Sequence, residues 1–180
     1  MDQKLSIAIF ASGCFWCTEA IFKELKGVHS VESGYIGGHS SKPTYADVCS
    51  GMTGHAEAIR ITYDPSEITY AQLVEVFFVT HDPTQLNRQG NDIGTQYRSA
   101  VFVADDEQRR IVTEVRDRLI AAGLFSGPVV TTIEPQTEFF PAEEYHRDYF
   151  ARNQDQPYCQ VVIDPKLAKF RKKFSAWRKT

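Results

Sequence analysis

The sequence predicts one domain folded as a two-layer sandwich of the α+β or α/β class, and three observations carry that reading. The chain has 180 residues, one domain's worth. Short apolar runs of strand length are interspersed with amphipathic stretches of helical period. No internal repeat, low-complexity tract or Gly/Ser linker divides it. The expectation is therefore a single domain over 1–180, with 153–180 a mobile segment leading into a basic C-terminal helix. Periodicity alone leaves α+β and α/β both open.

Each element has a local reason. Residues 5–10 form an apolar, β-rich run that reads as a buried strand. Ser12-Gly13 breaks it and opens a helix over 14–26, with Gly27 as its stop. On that helix Cys17, Ile21, Leu25 and Val28 fall on one inward stripe. Strands follow at 28–35, ended by Gly37-Gly38, and at 56–63, stopped by Asp64-Pro65. A helix over 69–80 carries Leu73, Val76, Phe77 and Thr80 on one side, and the polar, Gly- and Pro-containing 81–97 reads as loop. Next come a strand at 98–104 and a long helix over 105–122, whose Asp105-Asp106-Glu107 suits the positive helix end. A last strand is expected at 129–133, and Pro141 is expected to start a helix carrying Glu143, Glu144, Tyr145, His146 and Tyr149.

Composition narrows the function classes. Hydrophobic residues make up 42% and charged residues 24%, which excludes a disordered or collagen-like chain. The net charge of −3 argues against nucleic acid as a partner. No apolar stretch is long enough to span a bilayer, so no membrane role is expected. The N-terminus lacks a secretory pattern, which makes the cytoplasm the expected location. Seven of the 20 cations lie in 166–180 with no acid among them, so the remaining chain carries 13 cations against 23 anions, a formal −10. Leu167, Phe170, Phe174 and Trp177 form an apolar stripe there, and the expectation is a basic helix docked on an acidic body.

The strongest chemical signal is Gly13-Cys14-Phe15-Trp16-Cys17. A strand that ends at glycine and opens a helix puts Cys14 near free backbone N–H groups and the positive dipole end, an environment that favours thiolate. Three chemistries fit these residues. Cys14 is a single nucleophile with Cys17 on the buried stripe behind it; or Cys14 and Cys17 are a thioredoxin-like dithiol, although no proline lies between them. The third is a zinc-binding interaction module, whose remaining ligands would come from Cys49, Cys159 or a histidine at no recognisable spacing.

Further motifs follow in order: Gly51-Met52-Thr53-Gly54-His55-Ala56-Glu57, then Gly90-Asn91-Asp92-Ile93-Gly94-Thr95-Gln96-Tyr97-Arg98-Ser99, then Glu143-Glu144-Tyr145-His146 and Tyr158-Cys159. The ordered set closely resembles the signatures of the peptide methionine sulfoxide reductase A family, over roughly residues 5–163. The resemblance implies an α+β, ferredoxin-like sandwich with a mixed sheet. It also implies reduction of methionine S-sulfoxide, free or in proteins, with no cofactor and with thioredoxin as reductant.

Elementary chemistry says what such a reaction needs. Lowering a thiol pKa from ~8.5 to ~6.5 raises the thiolate fraction at pH 7, but the weaker nucleophile returns most of the gain, leaving roughly threefold. The departing oxygen must therefore be protonated by an acid of raised pKa. Glu57, at the start of an apolar strand, fits that acid, although on sequence alone a solvated strand-end carboxylate fits as well. The resemblance implies Glu57 as the acid, helped by Tyr45, Tyr97 and Asp92, with Phe15 and Trp16 as a cup for the S-methyl group.

Attack leaves Cys14 as a sulfenic acid, which a second thiol must resolve. Cys159 matches the family's resolving cysteine and follows a polar stretch, while Cys17 lies on the same helix face and Cys49 reads as structural. Many relatives continue into a Gly-rich tail with a further cysteine; here Gln160-Val161-Val162-Ile163-Asp164-Pro165 and the basic stretch follow instead. His55 and His146 read as hydrogen-bonded structural residues, and His29, His39 and His81 give no signal beyond loops.

Overall fold

A computed structural model describes residues 4–179. In chain order its main elements are β1 (Ser6–Ser12), α1 (Phe15–Phe22), β2 (Val28–Ile36), α2 (Tyr45–Cys49), β3 (Ala56–Tyr63) and α3 (Tyr70–Val79). The two-residue strands β4 (Arg88–Gln89) and β5 (Asp92–Ile93) come next, then β6 (Ser99–Val103), α4 (Asp106–Ala121), β7 (Thr132–Pro135) and β8 (Phe140–Pro141). The chain ends with α5 (Tyr149–Arg152), a π-helical turn (Cys159–Ile163), α6 (Asp164–Lys173) and a 3-10 turn (Ser175–Trp177).

The class is α+β. Six strands form one sheet in the order β7-β6-β1-β3-β2-β8, in which β6–β7 is parallel and the other pairs are antiparallel. Strand alternation divides the core in two. Ala8, Phe10, Ile59 and Ile61 face the helices and pack with Phe22 and Leu25, Leu73 and Phe77, and Val112 and Val115. Ile9, Ala11, Ala58 and Phe102 face the other way, where Phe139 closes over them. A side chain at Gly34 would lie 2.3 Å from the Phe139 ring, so the missing Cβ is what lets that ring settle on the sheet.

Several boundaries differ from expectation, each for a physical reason. The first helix stops at Phe22, not Lys26, because the chain beyond it turns to pair with the C-terminus. Lys26 N–H donates to Trp177 O at 2.8 Å, and Lys179 N–H to Glu24 O at 2.7 Å. The last parallel strand is Thr132–Pro135 rather than 129–133, since Val130 N–H is taken by Pro83 O at 2.8 Å. Pro141 does not open a helix. It sits on an edge strand opposite Gly34, where its missing N–H is tolerated, and the following segment makes only a short turn at Glu144–His146. The stretch 81–97 contains the small β4–β5 hairpin around Gly90-Asn91.

The basic C-terminal helix docks as expected. Leu167, Phe170 and Phe174 are buried, and Arg171 grips Glu24 through three short contacts. Among the described residues no helix is long and apolar enough to cross a membrane.

Candidate active site

The site grows from the end of β1. Gly13 turns the chain with φ +100°, a conformation other residues rarely adopt, and a Cβ there would lie 2.7 Å from Gln89. The next residue, Cys14, is the N-cap of α1, with extended backbone and no capping bond from its side chain. Phe10 pairs with Ile59 in the β1–β3 ladder, and extending that register by two residues sets Glu57 beside the end of β1. A hydrogen bond closes this corner: Phe15 N–H donates to Glu57 Oε1 at 3.1 Å.

Glu57 is 1% exposed, and burial pushes its carboxyl up to about 8. The Phe15 N–H opposes that shift, while the nearby charges of Asp92 and Cys17 reinforce it. With Oε1 accepting from the backbone, the proton belongs on Oε2, which is buried and without a hydrogen-bond partner. The Glu57 carboxyl is thus held in its protonated form near neutral pH.

Cys14 departs from expectation. Its place at a helix start holds, but the thiol is pushed well up by burial, then by a hydrogen bond with Cys17 and the charge of Glu57. Desolvation here outweighs the end of an eight-residue helix. A protonated Glu57 removes its own contribution to that penalty.

Tyr45 and Tyr97 gather beside them. Burial first, and then the Glu57 charge, push both phenols far above their ordinary range, so each hydroxyl remains a donor at every ordinary pH. Tyr45 sits at the start of α2, anchored because its N–H donates to Glu143 Oε2 at 2.9 Å; Tyr35 Oη donates to the other oxygen, also at 2.9 Å. Asp92, on β5, accepts from Tyr158 Oη at 2.7 Å, so it holds the C-terminal segment as well as adding charge near Glu57.

The two aromatics divide their surroundings. Phe15 is 1% exposed and packs on Tyr35, Tyr45 and His146. Trp16 is half-buried, stacked on Tyr149 at 3.8 Å with Tyr158 edge-on at 5.8 Å. Cys14, Cys17 and Cys159 join one buried cluster, whereas Cys49 is exposed and outside it. A crevice of about 340 Å³ opens on Cys14 and Cys17 between Gln89 and Asp92 on one wall and Tyr158 and Val162 on the other.

Sequence reasoning missed Tyr149 and Tyr158 as site walls, Glu143 as the clamp on Tyr35 and Tyr45, and the bond from Trp16 to His146. A motif match around Glu143 and Tyr158 was the available signal, but it named no partners. His55 is the structural histidine expected: Gly38 N–H donates to its Nδ1 at 3.0 Å and Nε2 meets Ser40 O at 2.6 Å.

Known proteins supply the same frame. A family profile described as "Peptide methionine sulfoxide reductase" matches residues 6–178. The chain is 55% identical to peptide methionine sulfoxide reductase MsrA of Chromobacterium violaceum over 168 residues, 93% of this chain and 96% of that one. Among solved structures it resembles Mxr1 from Saccharomyces cerevisiae in reduced form, with TM-score 0.81 and 35% identity over 87% of this chain and 90% of that one. Its fold also matches Mxr1 in complex with Trx2, with TM-score 0.58 and 24% identity, covering 83% and 87% of the two chains.

Proposed function

The chain belongs to the peptide methionine sulfoxide reductase family, and on that premise we propose how its residues divide the reaction. The enzyme reduces methionine S-sulfoxide to methionine. Cys14 Sγ attacks the sulfoxide sulfur while Glu57 delivers the proton on Oε2 to the sulfoxide oxygen. Tyr45 and Tyr97 donate hydrogen bonds to that oxygen, and Asp92 keeps the Glu57 proton in place by its charge. Phe15 floors the pocket for the S-methyl group and Trp16 forms its wall. The oxygen passes to Cys14 as a sulfenic acid and methionine leaves as the thioether, so one sulfur is reduced as the other is oxidised.

Cys159 carries the resulting disulfide to thioredoxin. Support comes from its place in the Cys14 cluster and from Mxr1, which is known in complex with Trx2. In this reading the segment from 153 moves to admit substrate, because Tyr149 and Tyr158 lie over Trp16 and the two thiols. The strand order β6-β1-β3-β2, with α1 and α3 as the crossovers, supports a ferredoxin-like two-layer arrangement. Four free cysteines fit a reducing compartment, and we place the protein in the cytoplasm.

One observation carries the assignment: a buried carboxyl that is protonated near pH 7, has a free oxygen, and is tied by hydrogen bond to the residue after the nucleophile. The test is single-turnover chemistry. Cys14→Ser yields no methionine, and Cys159→Ser yields about one per enzyme but does not cycle with thioredoxin. Normal cycling by Cys159→Ser removes Cys159 from the scheme. A thioredoxin-like dithiol instead requires both Cys14→Ser and Cys17→Ser to abolish insulin reduction, with no sulfoxide turnover in the wild type.

A further inference from the structure

Three of the four thiols, Cys14, Cys17 and Cys159, pack with Ile163 in one buried cluster. Cys17 is the member the other two share. It lines the same crevice as Cys14, and after burial it is the group that weighs most on Cys159. The backbone holds the first pair together: Cys14 O accepts from Cys17 N–H at 3.2 Å and from Thr18 N–H at 3.4 Å. Side chains three apart within a helix have Cβ atoms ~5–6 Å apart, wider than the ~3.5–4.5 Å of a disulfide. Cys14 lies outside that restriction, because as N-cap its backbone is extended at φ −60°, ψ 124°.

Cys159 is brought to Cys17 by its neighbour in sequence. Tyr158 Oη lies 3.8 Å from Cys17 Sγ and donates to Asp92 at 2.7 Å, which latches the residue before Cys159 over the pair. Val162 continues the same wall of the crevice. Cys14 and Cys17 line that crevice and Cys159, fully buried, does not.

Resting on the reading above, we propose that Cys17 is a relay thiol, which resolves the Cys14 sulfenic acid first and then hands the disulfide to Cys159. In the first step Cys17 Sγ attacks Cys14 Sγ, the S–O bond breaks, and the sulfenic hydroxyl leaves as water with the proton of the Cys17 thiol. In the second, Cys159 Sγ attacks Cys17 Sγ; the Cys14–Cys17 bond breaks, a Cys17–Cys159 disulfide forms, and Cys14 leaves as the thiol, taking up the proton that Cys159 gives up. The hydrogen bond from Cys14 lowers Cys17 below its usual range, which suits it to attack the sulfur beside it.

The relay has a stoichiometric consequence. Because Cys14 is free again before any external reductant arrives, it can take oxygen from a second sulfoxide. Wild-type enzyme without reductant therefore releases two methionines per chain, ending with a Cys17–Cys159 disulfide and a sulfenic acid on Cys14. Direct closure between Cys14 and Cys159 releases one, a twofold difference. Quenched-flow assay with excess methionine sulfoxide, followed by dimedone labelling and peptide mapping, reads both quantities on unmodified protein. Cys159→Ser should stop at one methionine with a Cys14–Cys17 disulfide, and Cys17→Ser at one with Cys14–Cys159. A wild-type burst of one ending in Cys14–Cys159 overturns the relay. So does Cys159→Ser protein holding a dimedone-reactive Cys14 beside a free Cys17. Failure of the underlying assignment looks different, since Cys14→Ser would then still release methionine.

Discussion

The indole N–H of Trp16 donates to Nδ1 of His146 at 2.9 Å, joining the residue two places after Cys14 to one 130 positions away. The bond fixes a tautomer: Nδ1 must be an acceptor, so the ring is neutral and its proton is on Nε2. Burial holds His146 below the usual imidazole range, consistent with that state.

His146→Phe fills the space but removes the acceptor. The expected cost is about 1–3 kcal/mol for leaving the indole unpaired, with a raised KM and little change in kcat. Urea denaturation and steady-state kinetics check both. The pH sign follows from the depressed pKa. Stability from the neutral ring is fully present above the unfolded value of 6.5 and declines as pH falls below it, where the unfolded chain takes up the proton first. His81, held at about 3 by burial with Nε2 on Ser99 Oγ at 2.8 Å, contributes with the same sign over a wider window. Urea midpoints at pH 7 and 5.5 should fall further apart in wild type than in His146→Phe.

Glu57→Gln keeps a carbonyl for the Phe15 N–H and removes the transferable proton. A loss of roughly 10²–10³-fold in kcat is expected, by analogy with removal of one donor to a developing oxyanion. In wild type, kcat should decline as pH rises through about 8, where the acid form disappears. Stability runs the same way. A carboxyl raised from 4.5 to about 8 keeps a proton that the unfolded chain has lost, so it opposes folding increasingly from pH 4.5 up to 8. The glutamine variant should therefore exceed wild type in urea midpoint at pH 8 and match it near pH 4.5.

Native alkylation should separate the thiols by burial. Cys49 is exposed and Cys14, Cys17 and Cys159 are buried, so one equivalent of iodoacetamide at pH 8 modifies Cys49 first. Mass mapping of tryptic peptides checks the order.

The docked C-terminal helix should be an essential part of the core. Phe170 is 2% exposed and touches Phe174, so Phe170→Ala should cost ~3–5 kcal/mol, readable as a drop in thermal midpoint.

Cys14 is legible in the sequence because a local fact marks it, a glycine break between strand and helix, whereas Glu57, an acid near the start of an apolar strand, stands out only through the family resemblance. The strand Ala56–Tyr63 is legible from its apolar content, and Asp64-Pro65 marks its end. What escapes is pairing at a distance. Nothing near Glu143 says that its two oxygens hold Tyr35 and Tyr45, about 100 positions earlier. Pro141 is ambiguous for a sharper reason, because a residue without N–H suits a helix start and a sheet edge equally well. The Cys14 thiol illustrates a third limit: the helix end can be read from sequence, but the burial that outweighs it depends on Trp16, Tyr97, Tyr149 and Tyr158 arriving from four different segments.

The segment that carries Cys159 is anchored on both sides. Before it, Tyr149 lies flat on Trp16; after it, α6 is clamped to Glu24, just past the far end of α1, which Cys14 caps. A tether held at two points ranges over only a short distance, so its thiol stays at a high local concentration around Cys14 and Cys17. In the proposed cycle, millimolar small thiols in the surrounding solution must compete with that confinement, so a chain so strung keeps a transient oxidised state to itself until a protein reductant engages it.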